Sequence, residues 1–382
     1  MRDQAEVESA EIVVDLDAYR RNCALLRDAV APAQMMAVVK ADAYGHGLVP
    51  VARAAREAGV PWLGVARVAE ALELRAQGDT GRLVAWLDLP GHVDYVEAVR
   101  QDVDMTAYSR RELRLIAAAG REVGRPARVQ LKVDTGLSRG GCPLADWPAL
   151  VEEAARLQQD GDLTITGVWS HFACSDEPEH PANDAQESAF VEAVRVAEDA
   201  GLHPEVRHLA NSAAALLRPS SRFDLVRLGL LSYGLDPAPG LTPELGLTPV
   251  MTVQTPLAMA KPIAAGTGVS YGHTWVAPHP TTVGLVPAGY AEGVPRHASS
   301  RAEVLVAGRR RPVRGRICMD QFVVDLDGDL PEPGTRVLLF GPGNDGEPTA
   351  QDWAEACGTI SYEIVTRIGG RMTRRYVGGG ES

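Results

Sequence analysis

Between residues 35 and 228, short apolar runs alternate eight times with amphipathic helical segments, and this alternation constrains the fold more than any other feature. The runs lie at 35–39, 62–65, 83–87, 103–106, 129–133, 165–170, 206–209 and 225–228. Each has the length and apolar character of a buried strand. Between them come Ala-, Arg- and Glu-rich stretches such as VARVAEALELRAQG, SRRELRLIAAAGREVG and NDAQESAFVEAVRVAEDAG. Their apolar residues recur at helical spacing, and the last stretch stops at Gly201. Eight strand–helix units predict an α/β fold, a (β/α)8 barrel of TIM type.

The texture changes after residue 240. LDPAPGLTPELGLTP reads as a linker. Beyond it MTVQTPLAMAKPI, TTVGLVPAGY, AEVLVAGRRRPVRGRICMDQFVVDL and TRVLLFG are β-rich segments parted by Gly and Pro turns. The 382 residues therefore divide into a barrel at 1–240 and a C-terminal, mainly antiparallel β domain at 241–382. A formal charge of −12 argues against a nucleic-acid partner. The polar start MRDQAEVESAEIVVDLDAYRRN has no apolar core, and no stretch reaches the roughly 18 apolar residues of a membrane span. A soluble, cytoplasmic protein without membrane contact is expected. Five scattered cysteines (Cys23, Cys142, Cys174, Cys318, Cys357) form no CxxC pair, so neither a disulfide framework nor a metal site is expected.

Barrel enzymes carry their working residues at the C-terminal ends of the strands. There the first run ends in Lys40 and leads to Tyr44 in AVVKADAYGHG. The fifth continues into KVDTGLSRGG with Lys132, Asp134 and Arg139, and the sixth ends at His171 in SHFACSD. The seventh leads to Asn211 and Ser212 in HLANSAA, the eighth to Arg227, Gly229 and Gly234 in RLGLLSYG. Ser, Asn and Gly in turns after strands 7 and 8 offer backbone N–H groups to a phosphate. A phosphate site facing a strand-end lysine fits pyridoxal 5′-phosphate, which needs an amine and an anchor for its phosphate. A desolvated strand end beside arginines favours the neutral amine. Taken singly, each residue has a plainer reading. Lys40 fits a snorkelling surface lysine, His171 a core histidine, Arg227 half of a structural ion pair and the glycines simple turns. Tyr271 in GVSYG and Tyr362 in ISYEI read equally well as core tyrosines of the β domain. Joint placement on one barrel rim favours the functional reading.

From about Ala10 to Tyr376 the chain resembles the alanine racemases, fold-type III pyridoxal-phosphate enzymes. The resemblance is carried, in the family's order, by AVVKADAYGHG, KVDTGLSRGG, SHFACSD, HLANSAA, VRLGLLSYG, GVSYG, GYAEGVPR, GRICMDQ and TISYEI. It implies a racemase that interconverts L- and D-alanine by a two-base mechanism and supplies D-alanine for peptidoglycan. It also implies a homodimer whose subunits share their active sites. Lys40 would tether the cofactor and act as acid/base on one face of the substrate. Tyr271 of a partner subunit would act on the other. Arg227 would face the pyridine nitrogen. Its guanidinium gives up a proton poorly, which favours simple reprotonation over transamination. His171 would link Tyr271 to Arg227. Tyr44, Ser212, Gly229, Leu230 and Tyr362 would anchor the phosphate, with Asn211 beside them. Arg139 would contact cofactor and substrate carboxylate, and the Met319 backbone that carboxylate. Lys132 matches a lysine often carbamylated in the family, where it holds this arginine. Asp176, Tyr290, Arg296, Arg316 and Ile360 match an access corridor.

Departures are few: Glu292 replaces the Asp of GYADG, Cys174 a small residue, Ser138 a frequent Gly, and RMTRRYV the commoner RVPR. They bear on corridor shape and substrate breadth. A serine or broad-specificity racemase is the near rival. A fold-type III decarboxylase acting on ornithine, arginine or diaminopimelate predicts an acidic partner at the pyridine nitrogen, where Arg227 stands. A non-catalytic cofactor-carrying barrel would lack counterparts of Tyr271 and Met319.

Overall fold

The first sheet has nine parallel strands: the two-residue Cys142–Pro143, paired only with Ala127–Asp134, and eight barrel strands numbered one to eight in chain order, Gln34–Val38, Trp62–Val65, Arg82–Ala85, Asp104–Ala107, Ala127–Asp134, Leu163–Trp169, Val206–His208 and Leu225–Leu228. The computed structural model describes residues 9–379. The first eight residues of the polar N-terminal segment, and residues 380–382 of the β domain as bounded from sequence, lie outside them. The eighth strand pairs in parallel with the first, Leu225 opposite Gln34 and Leu228 opposite Ala37. The Asp224 N–H bonds the Arg207 carbonyl at 3.1 Å and the Arg227 N–H that of Ala210 at 3.0 Å, so strands seven and eight nearly close the barrel. Helices stand between successive strands because the intervening segments carry one apolar stripe. Arg110–Val123 is typical, with Ser109 as N-cap, left-handed Gly124 as C-cap, and Leu113, Ile116 and Ala117 buried. Met36, Trp62, Val84, Val206 and Leu225 form an apolar cluster in the barrel.

The second sheet has nine strands in the order 259–263, 281–286, 322–325, 309–314, 303–306, 336–340, 251–256, 11–15 and 373–377. Its pairs are antiparallel except the last, Glu11–Asp15 beside Thr373–Val377. This departs from a barrel that begins at residue 1. Ile12 and Val14 are buried while their neighbours are half exposed, a period-2 pattern that suits a strand between two partners. The side chains agree: Gln254 donates to Glu11, and Arg375 pairs with it at 3.0 Å. The chain forms two compact units. One holds Arg20–Ala43 and Leu48–Leu247; the other holds Tyr44–Gly47 together with the segments up to Tyr19 and from Thr248 onward. Among the described residues no helix is long and apolar enough to cross a membrane.

One local feature was invisible to strand and helix periodicity. Ala41, Asp42, Ala43 and Tyr44 all have φ between 52° and 55°, a single left-handed turn straight after Lys40. Left-handed geometry costs a non-glycine residue roughly 1–2 kcal/mol, so neighbours must hold it. The Ala41 N–H donates to Glu70 Oε1 at 2.7 Å, the Ala43 N–H to the Val39 carbonyl at 2.9 Å, and the Leu48 N–H to Asp42 Oδ1 at 2.8 Å. Gly45, at φ 81°, ends the turn where a Cβ would lie 2.6 Å from the Val365 carbonyl oxygen. Ala41 is exposed and tests the strain without touching the core. Ala41→Gly is expected to raise stability by about 1 kcal/mol and Ala41→Val to lower it by at least as much. Urea unfolding followed by circular dichroism measures both; identical midpoints for the two variants would rule out a strained turn.

Candidate active site

Lys40 leaves the first barrel strand where that strand meets the eighth. Tyr233 Oη donates to the Val38 carbonyl at 3.0 Å, tying the turn after the eighth strand to the residues preceding Lys40. Gly229 and Leu230 open that turn, which ends at left-handed Gly234. The Gly229 N–H donates to Ser212 Oγ at 3.0 Å, so the loops after strands seven and eight lie side by side. Asn211 caps the helix Ser212–Leu217 by accepting the Ala214 N–H at 3.1 Å, and its amide donates to Ser175 Oγ at 2.8 Å. The strand-end residues read from the sequence thus occupy one end of the barrel.

Arg227 is buried within the eighth strand, and its guanidinium donates to five acceptors. Nη1 reaches His208 Nδ1 at 3.0 Å and the His208 carbonyl at 3.2 Å. Nη2 reaches His171 Nδ1 at 3.0 Å and the carbonyls of Ser170 and Leu209 at 2.9 and 3.0 Å. Burial lowers its pKa to about 9, and these acceptors keep it charged at neutral pH. No carboxylate is among them. Lys132 Nζ and Arg227 Cζ lie 4.5 and 4.9 Å from the centre of the Trp169 ring, within cation–π range.

Burial and the neighbouring cations depress the basic groups at this end of the barrel. Burial, then Arg139, lowers the Lys40 pKa, with Arg227 adding to the shift and Glu70 opposing it. Burial, then Arg227 and Arg139, brings Lys132 down to about 8. Half-buried His171 is pushed well below its usual value by desolvation and by Arg227, so its ring is neutral. Arg139 itself is exposed in the loop after the fifth strand. That loop is shaped by Asp134, whose Oδ1 accepts the N–H groups of Gly136 and Ser138 at 3.0 and 3.1 Å. Ser138 takes φ 56°, a left-handed conformation that glycine adopts at less cost. Asp176 is exposed in the loop after the sixth strand, where the Asn183 amide holds the carbonyls of Cys174 and Glu177.

The second unit gathers the other expected residues. The Tyr44 and Tyr362 rings lie 6.1 Å apart, and burial followed by Tyr362 raises the Tyr44 pKa. His46 donates to the Tyr44 carbonyl at 3.0 Å and so helps to shape this loop. The loops bearing Tyr271, Tyr290, Arg316 and Met319 are laced together. Ser270 Oγ donates to the Arg316 carbonyl at 2.6 Å, and the N–H groups of Tyr290 and Ala291 donate to the carbonyls of Cys318 and Met319 at 3.1 and 2.9 Å. Arg296 and Arg316 line one shallow cavity of about 260 Å³. Glu292 accepts the Gly289 N–H at 2.9 Å and pairs with Arg371, so the longer side chain braces the Tyr290 turn from within. Tyr271, Met319 and Ile360 are 71%, 54% and 60% exposed, unusual for side chains of their size. The plainer reading of Tyr271 as a core residue is therefore set aside.

Sequence reasoning missed Glu70, whose carboxylate supports the turn after Lys40, and the acceptors of Arg227 other than His171. A signal for His208 was present, since it is a polar residue inside an apolar run.

Comparisons with known proteins place the chain in a family. The chain matches the family descriptions "Alanine racemase, N-terminal domain" over residues 14–237 and "Alanine racemase, C-terminal domain" over 250–376. It is 54% identical over 369 residues to an alanine racemase of Thermobifida fusca, covering 97% of this chain and 98% of that one. The solved alanine racemase of Streptomyces coelicolor superposes with a TM-score of 0.96 at 53% identity, over 99% of this chain and 100% of that one. The alanine racemase of a D-cycloserine-producing Streptomyces lavendulae gives 0.95 at 53% identity, with 97% of each chain covered. Two matched domains spanning both units, with near-complete coverage at such identity, make this chain a member of the alanine racemase family, isomerases that interconvert the enantiomers of alanine.

Proposed function

We propose that racemisation proceeds with pyridoxal 5′-phosphate held at the barrel rim, between Lys40 on one side and Tyr271 of a second copy on the other, and supplies cytoplasmic D-alanine for peptidoglycan. The observation that carries this reading is the surplus of positive charge at the rim of a strongly acidic chain. There burial, with Arg139 and Arg227, lowers the pKa values of Lys40 and Lys132, and the acidic groups opposing those shifts are Glu70 for Lys40 and Asp134 for Lys132. Such a donor set fits a phosphate together with an amino-acid carboxylate.

Bound there, pyridoxal 5′-phosphate supplies an aldehyde for an amine and a ring that withdraws electrons from the α-carbon. Lys40 would hold it through Nζ. Ser212, Gly229, Leu230, Tyr44 and Tyr362, with Asn211, would hold the phosphate, and Arg227 would face the ring nitrogen. Burial, then Arg139, lowers the Lys40 pKa, which shifts it toward the neutral amine that a base needs. Lys40 Nζ then takes or returns the α-proton on one face, and Tyr271 Oη does so on the other, inverting the centre. Because His171 Nδ1 accepts from Arg227, the His171 proton sits on Nε2, where it would meet the Tyr271 oxygen. Arg139 and the Met319 N–H would orient the substrate carboxylate. Asp176, Tyr290, Arg296, Arg316 and Ile360 would line the way in. The exposed Tyr271, Met319 and Ile360 are side chains a partner's barrel would cover in a head-to-tail homodimer. An arginine rather than a carboxylate in the ring-facing place favours racemisation over decarboxylation.

Tyr271→Phe is expected to slow racemisation by about 10²–10⁴-fold in both directions, the usual worth of one acid/base group. In D₂O the variant should still exchange the α-proton of D-alanine with retention while exchange from L-alanine collapses. NMR of each enantiomer reads this out, and equal loss from both would overturn the two-base assignment. Mixing inactive Lys40→Ala with inactive Tyr271→Phe should restore about a quarter of the wild-type sites after subunit exchange, because half the dimers are mixed and each carries one intact site. No recovery, or an active wild-type monomer in sedimentation at assay concentration, would remove the shared site.

Lys132 titrates near 8, so its amine can attack carbon dioxide at mildly alkaline pH, losing a proton to give a carbamate anion that pairs with Arg139. Protein equilibrated with ¹³C-bicarbonate should show a carbamate resonance that grows as pH rises through about 8 and is absent in Lys132→Gln. The folded amine is the weaker base relative to its ordinary 10.5. Its contribution to stability therefore increases from about pH 8 toward 10.5, which urea midpoints across that range will follow.

A further inference from the structure

Beneath the rim, a line of polar side chains crosses the barrel interior. Asp104, Gln130 and His208 lie on the fourth, fifth and seventh barrel strands and are fully buried. Buried polar groups require partners, and here each partner sets the next. The Asp104 carboxylate accepts from Arg128 Nε at 2.6 Å, Arg82 Nη2 at 2.9 Å, Thr166 Oγ1 at 2.8 Å and Gln130 Nε2 at 3.3 Å. A carboxylate paired with two arginines can only accept, so the end of Gln130 that faces it is the NH₂ group. Gln130 Oε1 is thereby turned to His208 Nε2, 2.9 Å away. An oxygen there requires the His208 proton on Nε2. The lone pair left on Nδ1 receives Arg227 Nη1–H at 3.0 Å.

We infer that Asp104 and Gln130 are positioning residues for the racemase reaction: they select the tautomer of His208 and so hold the Arg227 guanidinium in one orientation at the rim. The inference rests on the reading of Arg227 as the residue facing the cofactor's ring nitrogen. The other tautomer would set two N–H groups against each other at Arg227. The surroundings are built for this line. Gly167 makes the space, since a Cβ there would lie 2.9 Å from Gln130 Cδ. The pairing between strands five and six shifts register between Val129 and Gln130. The Trp169 ring stacks on His208 at 5.5 Å and 8°, fixing the imidazole plane. Burial and the Arg227 charge keep that imidazole neutral.

The direct test is long-range ¹H–¹⁵N correlation on holoenzyme labelled at histidine ring nitrogens, with His208 assigned by loss of its signals in His208→Gln. His208 should be the neutral Nε2–H tautomer and should not titrate between about pH 6 and 9. Gln130→Met keeps the volume and removes the acceptor. It should lower kcat about tenfold with KM for alanine little changed, and displace the cofactor's visible absorbance; a full ångström of misplacement can cost about a hundredfold. Gln130→Glu, pressed into its protonated form by burial and by Asp104, still offers an oxygen to Nε2 and should retain more activity than Gln130→Met. An Nδ1–H tautomer or an imidazolium in the wild type would overturn the inference. So would a Gln130→Met enzyme with wild-type kcat and absorbance, or equal losses in the two variants. Failure of the reading beneath it looks different: wild-type protein that shows no cofactor absorbance, or one whose absorbance ignores replacement of Arg227.

Discussion

A full positive charge inside a barrel core is expensive unless every donor is met, and Arg227 poses that problem to the whole first unit. Its five acceptors come from Ser170 and His171 after the sixth strand and from His208 and Leu209 around the seventh. Strands six, seven and eight must therefore end at matched heights, or the guanidinium loses partners. The same requirement places His171 at the rim and commits His208 to Gln130. Lys132 and Trp169 then pack around the charge, and burial together with that charge lowers the lysine pKa. Much of the electrostatics of this end of the barrel follows from one buried side chain.

A second constraint acts at Lys40. A lysine on an ordinary right-handed helix after its strand would have its N–H groups engaged by the helix and its stem free to swing. The four residues that follow Lys40 instead wind left-handed, and Glu70, Asp42 and the Val39 carbonyl hold them there. Strain of this kind persists only where surrounding contacts over-determine it. Glu70 has two tasks, since its other oxygen caps its own helix by accepting the Ala66 and Arg67 N–H groups at 2.9 and 3.0 Å. One carboxylate thus couples the second strand's helix to the geometry of the Lys40 loop.

The eight barrel strands were legible because each is a short apolar run between helices of clear period, and every run overlaps an observed strand. The strand Glu11–Asp15 was not assigned to its sheet. Its partners at 251–256 and 373–377 are more than two hundred residues away, and periodicity carries no information about distant pairing. The left-handed turn was hidden for another reason. Ala41 to Tyr44 contain no glycine, the residue by which such a conformation is usually read. At the rim, Lys40 and Ser212 were legible from their places after apolar runs, and Arg227 as a charged residue near the end of one. Asp104, Gln130 and His208 were passed over as members of those runs, although a polar residue in the middle of a buried strand is itself a signal.

The choice of acceptors around Arg227 has a consequence for binding anions. Pairing the guanidinium with a carboxylate would satisfy it equally well, but would cancel its field within a few ångströms. Three carbonyls and two neutral imidazole nitrogens satisfy Nη1 and Nη2 while leaving the charge uncompensated. The carboxylate that ends this line of hydrogen bonds, Asp104, is separated from Arg227 by Gln130 and His208, and it is itself neutralised by Arg82 and Arg128. Geometry therefore passes along the line while negative charge does not reach the rim. A surplus of positive potential survives beside Lys40, Lys132 and Arg139, and it both disfavours the Lys40 ammonium and draws in anionic groups. Replacing either imidazole by a carboxylate would make the Arg227 pair tighter and the site a poorer host for a phosphate and an amino acid together.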